Sequence, residues 1–271
     1  HALIPKTLVS TDGARQDITI GAIGFCPTQI MIWDERHLRG KIWVTDMVEA
    51  AKYHVPRLKA AGADVVVALS HTGISAAPWK PGMENVGLHL AALPGIDALI
   101  CGHQHLVFPG NSISPAPGLD PVAGRLHGKA AVMPGFWGSH AGCIDLDLTH
   151  GPEGWQVTDN HASLYPIASW DGERAEALTV SNPQVLEKAK ASHQGTLAYI
   201  RKAVGKTANP IHSYFAMIGN DPAIQVINEA QIWYARRQLE GTEFADIPLI
   251  SAASPFKAGG RSGPFYYSDV P

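Results

Sequence analysis

"IDALICGHQH" (residues 96–105) decides the fold. It is an apolar run that opens on an aspartate and closes on a glycine and two histidines one residue apart, His103 and His105. A short apolar run bounded by turn residues reads as a strand buried on both faces, and its polar end marks where the backbone leaves the sheet. "DVVVALSH" (64–71) has the same form and also ends in a histidine, His71, while "DITIGAIGF" (17–25) reads as a third strand. Between these runs lies "TDMVEAAKYHVPRLKAAG" (45–62), a predicted helix with Thr45 as N-cap and Gly62 as its stop. Pro56 is expected to kink it or end it early. "MENVGLHLAALPG" (83–95) is a second predicted helix. Strand, helix, strand, helix, strand implies crossover connections and a largely parallel α/β sheet.

Beyond residue 105 the pattern changes. "VFPGNSISPAPGLDPVAGRLHGK" (107–129) is rich in Pro and Gly and reads as one long loop of the functional or mobile kind. "AAVMPGFWGSHAGCIDLDL" (130–148) reads as two strands joined by a glycine-punctuated turn, and "GPEGWQVTDNHASLYPI" as the completion of an antiparallel edge. Residues 171–182 read as a connector. "NPQVLEKAKASHQGTLAYIRKAVG" (182–205) is a long helix expected to bridge two domains, and "DPAIQVINEAQIWYARRQLEG" (221–241) is another. "IPLISAASPFKAGGR" (247–261) reads as an apolar strand running into a glycine-rich turn.

Composition bounds the function. With 271 residues, 45% apolar and 17% charged, the chain can bury a sizeable core, so disorder does not dominate. A formal charge of −3 provides no basic footprint for a nucleic acid polymer. No window reaches the roughly 18 to 20 apolar residues that a membrane span needs. Cys26, Cys101 and Cys143 are odd in number and widely spaced, which argues against a disulfide framework or a thiolate zinc site.

The 13 histidines are many for this length, and imidazole is a common metal ligand. Side chains at i and i+2 of a strand point the same way, so His103 and His105 are expected to reach one site as the chain leaves the sheet. His71 ends the neighbouring strand at the same carboxyl edge, where open α/β sheets place their ligands. One such histidine alone is more often a hydrogen-bonded loop residue; three at one edge point to a metal. Of the others, only His140 in "GFWGSHAG" is a further active-site candidate, and no catalytic residue is assigned. Arg261, after Gly259 and Gly260, can grip a phosphate bidentately, which makes Gly260 and Arg261 candidates for a substrate contact.

The segments "DVVVALSHTGIS" (64–75), "PGIDALICGHQHLVFPG" (94–110), "AVMPGFWGSHAG" (131–142) and "SAASPFKAGGRSGPFYYSDVP" (251–271) together resemble the bacterial 2',3'-cyclic-nucleotide 2'-phosphodiesterase/3'-nucleotidase family, within the 5'-nucleotidase-like metallophosphoesterases. The resemblance covers essentially the whole chain. It implies a mixed α/β fold made of the later half of a four-layer α/β/β/α metallophosphoesterase domain (1–170), a linker and bridging helix (171–205), and the start of a nucleotide-binding domain (206–271). It implies two divalent metal ions, Mn, Zn, Co or Fe, with His71 and His103 on one and His105 on the other. The substrate it implies is a nucleotide, in a periplasmic setting.

That family's pattern also calls for an Asp-x-His, a bridging Asp in a Gly-Asp motif and a Gly-Asn-His, none of which precedes His71 in this sequence. The resemblance therefore implies a fragment that lacks the N-terminal metal motifs, binds metal weakly by itself, is inactive alone, and has the missing N-terminal segment as its partner. The family sandwiches its base between two aromatic rings expected beyond Pro271. A noncatalytic nucleotide-binding relic, or a related 5'-nucleotidase or sugar-diphosphate hydrolase, is the alternative.

Overall fold

The computed structural model describes all residues except 153, 172, 173, 204, 210 and 254–271. The chain divides into two compact units, His1–Ser181 and Asn182–Pro271.

The first unit opens with β1 (Ala2–Val9) and β2 (Arg15–Phe25), followed by two single helical turns, α1 (Ile30–Trp33) and α2 (Glu35–Leu38). Then come α3 (Met47–Ala60), β3 (Val65–Ser70), α4 (Gly87–Ala92) and β4 (Ala98–Cys101). Three two-residue strands follow, β5 (Val107–Phe108), β6 (Leu119–Asp120) and β7 (Arg125–Leu126). After them lie β8 (Lys129–Pro134), the long hairpin β9 (His140–Gly151) and β10 (Gly154–Pro166), and the small pair β11 (Ala168–Trp170) and β12 (Ala175–Ala177).

The main sheet has the order β1-β2-β3-β4-β8-β7-β6, with β5 pairing β8. Its centre, β2-β3-β4-β8, is parallel as expected; β1, β5, β6 and β7 join antiparallel, so the sheet is mixed. Aspartates at the strand starts lock the register. Asp64 accepts a hydrogen bond from the Thr19 amide (2.7 Å), and Asp97 accepts one from the Val66 amide (2.7 Å) and another from the Lys59 ammonium (3.0 Å).

Helix α3 packs on one face of the sheet through Met47, Val48, Ala51, Val55 and Leu58, against Val66, Ala68 and Leu99. Gly21 is required at that contact: a Cβ there would stand 2.8 Å from the Cβ of Ala63 and 2.9 Å from Leu58. Asp46, not Thr45, caps the helix, accepting from the amides of Val48 (2.9 Å) and Glu49 (3.1 Å). Pro56 lies inside the helix without ending it, because Val55 and Leu58 on either side are fully buried and hold the turn in place.

The opposite face is covered in part. Ala130 and Val132 pack against Ala162, Ile144 and Leu164 of the β9–β10 hairpin, and the Trp155 indole donates to the Asp17 carbonyl (2.9 Å). Leu69 and Ile100, register partners at the carboxyl end of the same face, are 47% and 40% exposed.

The expected loop 107–129 is instead the sheet's far edge. Phe108 and Leu126 are fully buried and Leu119 nearly so, in strands too short for any periodicity to reveal. The second helix is shorter than the 83–95 expected, since Val86 directs its amide to the Thr72 hydroxyl (2.8 Å).

The second unit contains α5 (Pro183–Ile200) and α6 (Pro222–Leu239), each starting with a proline behind a capping side chain, Asn182 and the buried Asp221. Helix α5 stops five residues before the expected Gly205. Residues 247–253, expected as the start of a strand, form no strand; 254–261 lie outside the described residues. Among the described residues no helix is long and apolar enough to cross a membrane.

Candidate active site

Strands β2, β3 and β4 run parallel, so their carboxyl ends deliver their loops to one edge. His71 is the first residue after β3, its amide donating to the Phe25 carbonyl at the end of β2 (2.9 Å). His103 lies two residues past β4, and the rings of His71 and His103 meet edge-on with centroids 5.4 Å apart. Burial, and then the electrostatic influence of His103 and His105, holds the His71 imidazole below its ordinary pKa. His71 and His103 are thus in ring contact at this edge, and His105, two residues on, lies near enough to act on the His71 charge.

The reason they do so differs from the one expected. His103 and His105 are not strand residues with alternating side chains; both are left-handed, at φ 68° and 58°. Such backbone conformations cost about 1 to 3 kcal/mol outside glycine and persist only where neighbouring structure over-determines them. Here the neighbours are visible. The Gly102 amide donates to the Thr72 carbonyl (3.0 Å), the Gln104 amide to the Gly102 carbonyl (2.8 Å), and the Gln104 side-chain oxygen accepts from the Ile74 amide (2.8 Å). Gln104 lies directly over Gly73, where a Cβ would fall 2.2 Å from its carboxamide and displace it from this position.

Several residues that sequence reasoning did not single out complete the corner. Nε2 of His103 is 3.1 Å from Oε2 of Glu84. A carboxylate can only accept, so this contact requires the proton on Nε2, and in the neutral ring it leaves Nδ1 with the free lone pair. Thr72, fully buried, holds Glu84 in place by donating its hydroxyl to the Glu84 carbonyl (2.5 Å). Trp33 stacks on His103 (5.2 Å, 25°) and Phe136 stacks on His105 (5.1 Å, 23°). His140, the further candidate already named from the sequence, begins β9, its Nδ1 2.9 Å from the Ser139 hydroxyl. Nothing local in the sequence marks Glu84 or Trp33, because each arrives from a separate loop.

Among the described residues, no group of three or more His, Cys, Asp or Glu side chains is disposed to hold a metal ion. The donors fit a metal centre in kind, and the imidazole–carboxylate pair of His103 and Glu84 is the usual orienting arrangement behind a ligand. They do not complete one, since among the described residues no carboxylate bridges the histidines. Gly260 and Arg261, the expected substrate contacts, lie outside the described residues.

No protein-family model matches the chain. It is 42% identical over 272 residues to the trifunctional nucleotide phosphoesterase protein YfkN of Bacillus subtilis, covering 100% of this chain and 18% of that one. It is 41% identical over 261 residues to a 2',3'-cyclic-nucleotide 2'-phosphodiesterase/3'-nucleotidase of Salmonella typhimurium, covering 96% of this chain and 40% of that one. The chain is homologous to these bacterial phosphoesterases.

The crystal structure of the calcineurin-like phosphoesterase YfkN from Bacillus subtilis superposes with a TM-score of 0.68 at 39% identity, over 74% of this chain and 58% of that one. The mixed α/β architecture is thus similar to that of this calcineurin-like phosphoesterase. The chain spans 18% to 41% of the length of the curated relatives it matches, the 41% being a Haemophilus influenzae 2',3'-cyclic-nucleotide 2'-phosphodiesterase/3'-nucleotidase.

Proposed function

We propose that this chain carries part of the active site of an enzyme that hydrolyses 2',3'-cyclic nucleotides and then 3'-nucleotides. The observation that carries the reading is the gathering of His71, His103 and His105 at one carboxyl edge of the parallel sheet, in a chain about 40% identical to enzymes named for that activity. In this reading His71 and His103 serve one divalent ion and His105 a second, and the carboxylates that bridge them come from sequence outside these 271 residues. When bound, such ions polarise phosphoryl oxygens and lower the pKa of an attacking water.

The chain's own residues have defined tasks in that scheme. His71 is kept neutral, the form in which imidazole ligates, by its partial burial and its imidazole neighbours. Glu84 fixes the His103 tautomer, and Trp33 and Phe136 fix ring orientation by stacking. Gly260 and Arg261 contact the substrate phosphate. A periplasmic setting belongs to the same proposal and rests on resemblance alone.

The test is phosphate release from 2',3'-cyclic AMP and 3'-AMP with Mn2+, using this chain and a polypeptide extended at its amino end to the length of the relatives. The longer polypeptide is expected to turn over both substrates, to lose activity on His71→Ala or His105→Ala, and the 271-residue chain to show little turnover. Full activity of the shorter chain contradicts completion from outside. Release from 5'-nucleotides alone overturns the substrate assignment.

A further inference from the structure

We propose that Gln104 is a positioning residue. Its carboxamide, seated over Gly73, sends the rings of His103 and His105 to opposite sides of β4, one imidazole towards each of two cation positions. The inference rests on the reading of this corner as a divalent-ion site, and it assigns the residue that sets the spacing of the imidazoles.

The two rings part company as they leave the sheet. Strand β4 lies between β3 and β8. His103 turns towards the side of β2 and β3, where its ring meets His71 (5.4 Å), Trp33 (5.2 Å) and the Glu84 carboxylate (3.1 Å). His105 turns towards the β8 side, where its ring lies flat on Phe136 of the β8–β9 turn (5.1 Å, 23°). Side chains two apart on an extended strand would both face one way, so the divergence belongs to the backbone. Both histidines are left-handed, at φ 68° and 58°, with Gln104 between them. Residues other than glycine leave that conformation unless their surroundings hold them in it.

Gln104 is placed to do the holding. Its amide donates to the Gly102 carbonyl (2.8 Å), and its side chain crosses to the loop after β3, where Oε1 accepts from the Ile74 amide (2.8 Å). An amide N–H can only donate, which settles which end of the carboxamide faces it. Thr72, Gly73 and Ile74 are all buried, so releasing the contact would strand a buried N–H. Gly73 makes the seat. A Cβ there would stand 2.2 Å from both Cδ and Oε1 of Gln104 and 2.3 Å from its Cγ, and these are the three nearest atoms. The φ of Gly73 is not positive, so glycine is needed there for space and not for conformation.

The seat is itself anchored. The Gly73 amide donates to Oδ1 of Asn85 (3.2 Å), its carbonyl accepts from the Gly87 amide (2.9 Å), and the Gly102 amide donates to the Thr72 carbonyl (3.0 Å). One side chain thus ties the turn that carries two imidazoles to an anchored loop that begins with the third, His71.

The test reads ring contacts in the metal-free chain and then its affinity for Zn2+. Nuclear Overhauser effects between His103 and Trp33, and between His105 and Phe136, are expected in the unaltered chain. They should be lost in Gln104→Ala, and also in Gly73→Ala, which displaces the carboxamide while leaving Gln104 in the sequence. Gln104→Glu keeps an acceptor at the same reach and should retain them. The Tyr53–His54 contact on α3 (4.9 Å) is the control and should persist throughout. Calorimetric Zn2+ affinity should fall about 10- to 100-fold in Gln104→Ala or Gly73→Ala, and no further in the double variant, because both changes remove one brace. The proposal is overturned if the ring contacts survive in Gln104→Ala, if Tyr53–His54 is lost with them, or if Zn2+ binds that variant as tightly as the unaltered chain. Failure of the metal reading has another signature: Zn2+ then leaves all three rings unperturbed in the unaltered chain, and the ring contacts alone decide the brace.

Discussion

Nε2 of His103 stands 3.1 Å from Oε2 of Glu84, so the neutral imidazole presents Nδ1, not Nε2, as its open lone pair. If His103 is a ligand, Glu84 acts behind it by fixing the tautomer. Replacing such a partner typically costs 10- to 100-fold in metal affinity, so Glu84→Ala should weaken Zn2+ binding by about that factor in calorimetric titration. Unchanged affinity would show that the carboxylate is an ordinary surface partner.

Asp46 ties two loops to the same scaffold. One carboxylate oxygen caps α3 and the other accepts from the Gly82 amide (2.8 Å), two residues from Glu84. Asp46→Ala removes the cap and strands the Gly82 amide, and should cost about 1 to 2 kcal/mol in urea unfolding. Asp46→Asn should recover most of the capping term.

At Gly21 the sheet and α3 approach too closely for any side chain. Gly21→Ala should destabilise by about 1 to 3 kcal/mol, and a second change that shortens the facing side chain, Leu58→Val, should cost less in that background than alone. Additive losses in thermal unfolding would place the strain elsewhere.

Cys101, the last residue of β4, is fully buried, and burial pushes its thiol up to about 12. The folded pKa lies above the ordinary thiol value of 9.0, so the native state keeps its proton while the unfolded state releases it. The stabilising term is complete below pH 9 and drains away as the pH climbs towards 12. Cys101→Ala should flatten the alkaline fall in stability over that range. Iodoacetamide should label Cys26 and Cys143 in the native chain and reach Cys101 only after unfolding.

Where the sequence carried a long periodic signal, the elements could be read from it: the three parallel strands and α3 lie where the apolar runs and the helical spacing put them. Failures came where a side chain outcompeted local pattern. Thr72 took the Val86 amide and shortened the second helix; buried Phe108 and Leu126 organised a Pro- and Gly-rich stretch that composition alone assigned to loop. The site was legible in its histidines and not in its geometry. Left-handed backbone at His103 and His105 depends on Gln104 folding over Gly73, a contact between two loops that neither loop announces.

The central claim is that His71, His103 and His105 form one cation-seeking corner. Paramagnetic broadening by substoichiometric Mn2+ of the 13 histidine ring signals addresses it most directly, since it registers weak binding. Those three should broaden first and together, ahead of exposed rings such as His37. Broadening spread evenly over all the histidines, or centred on another group, would contradict it.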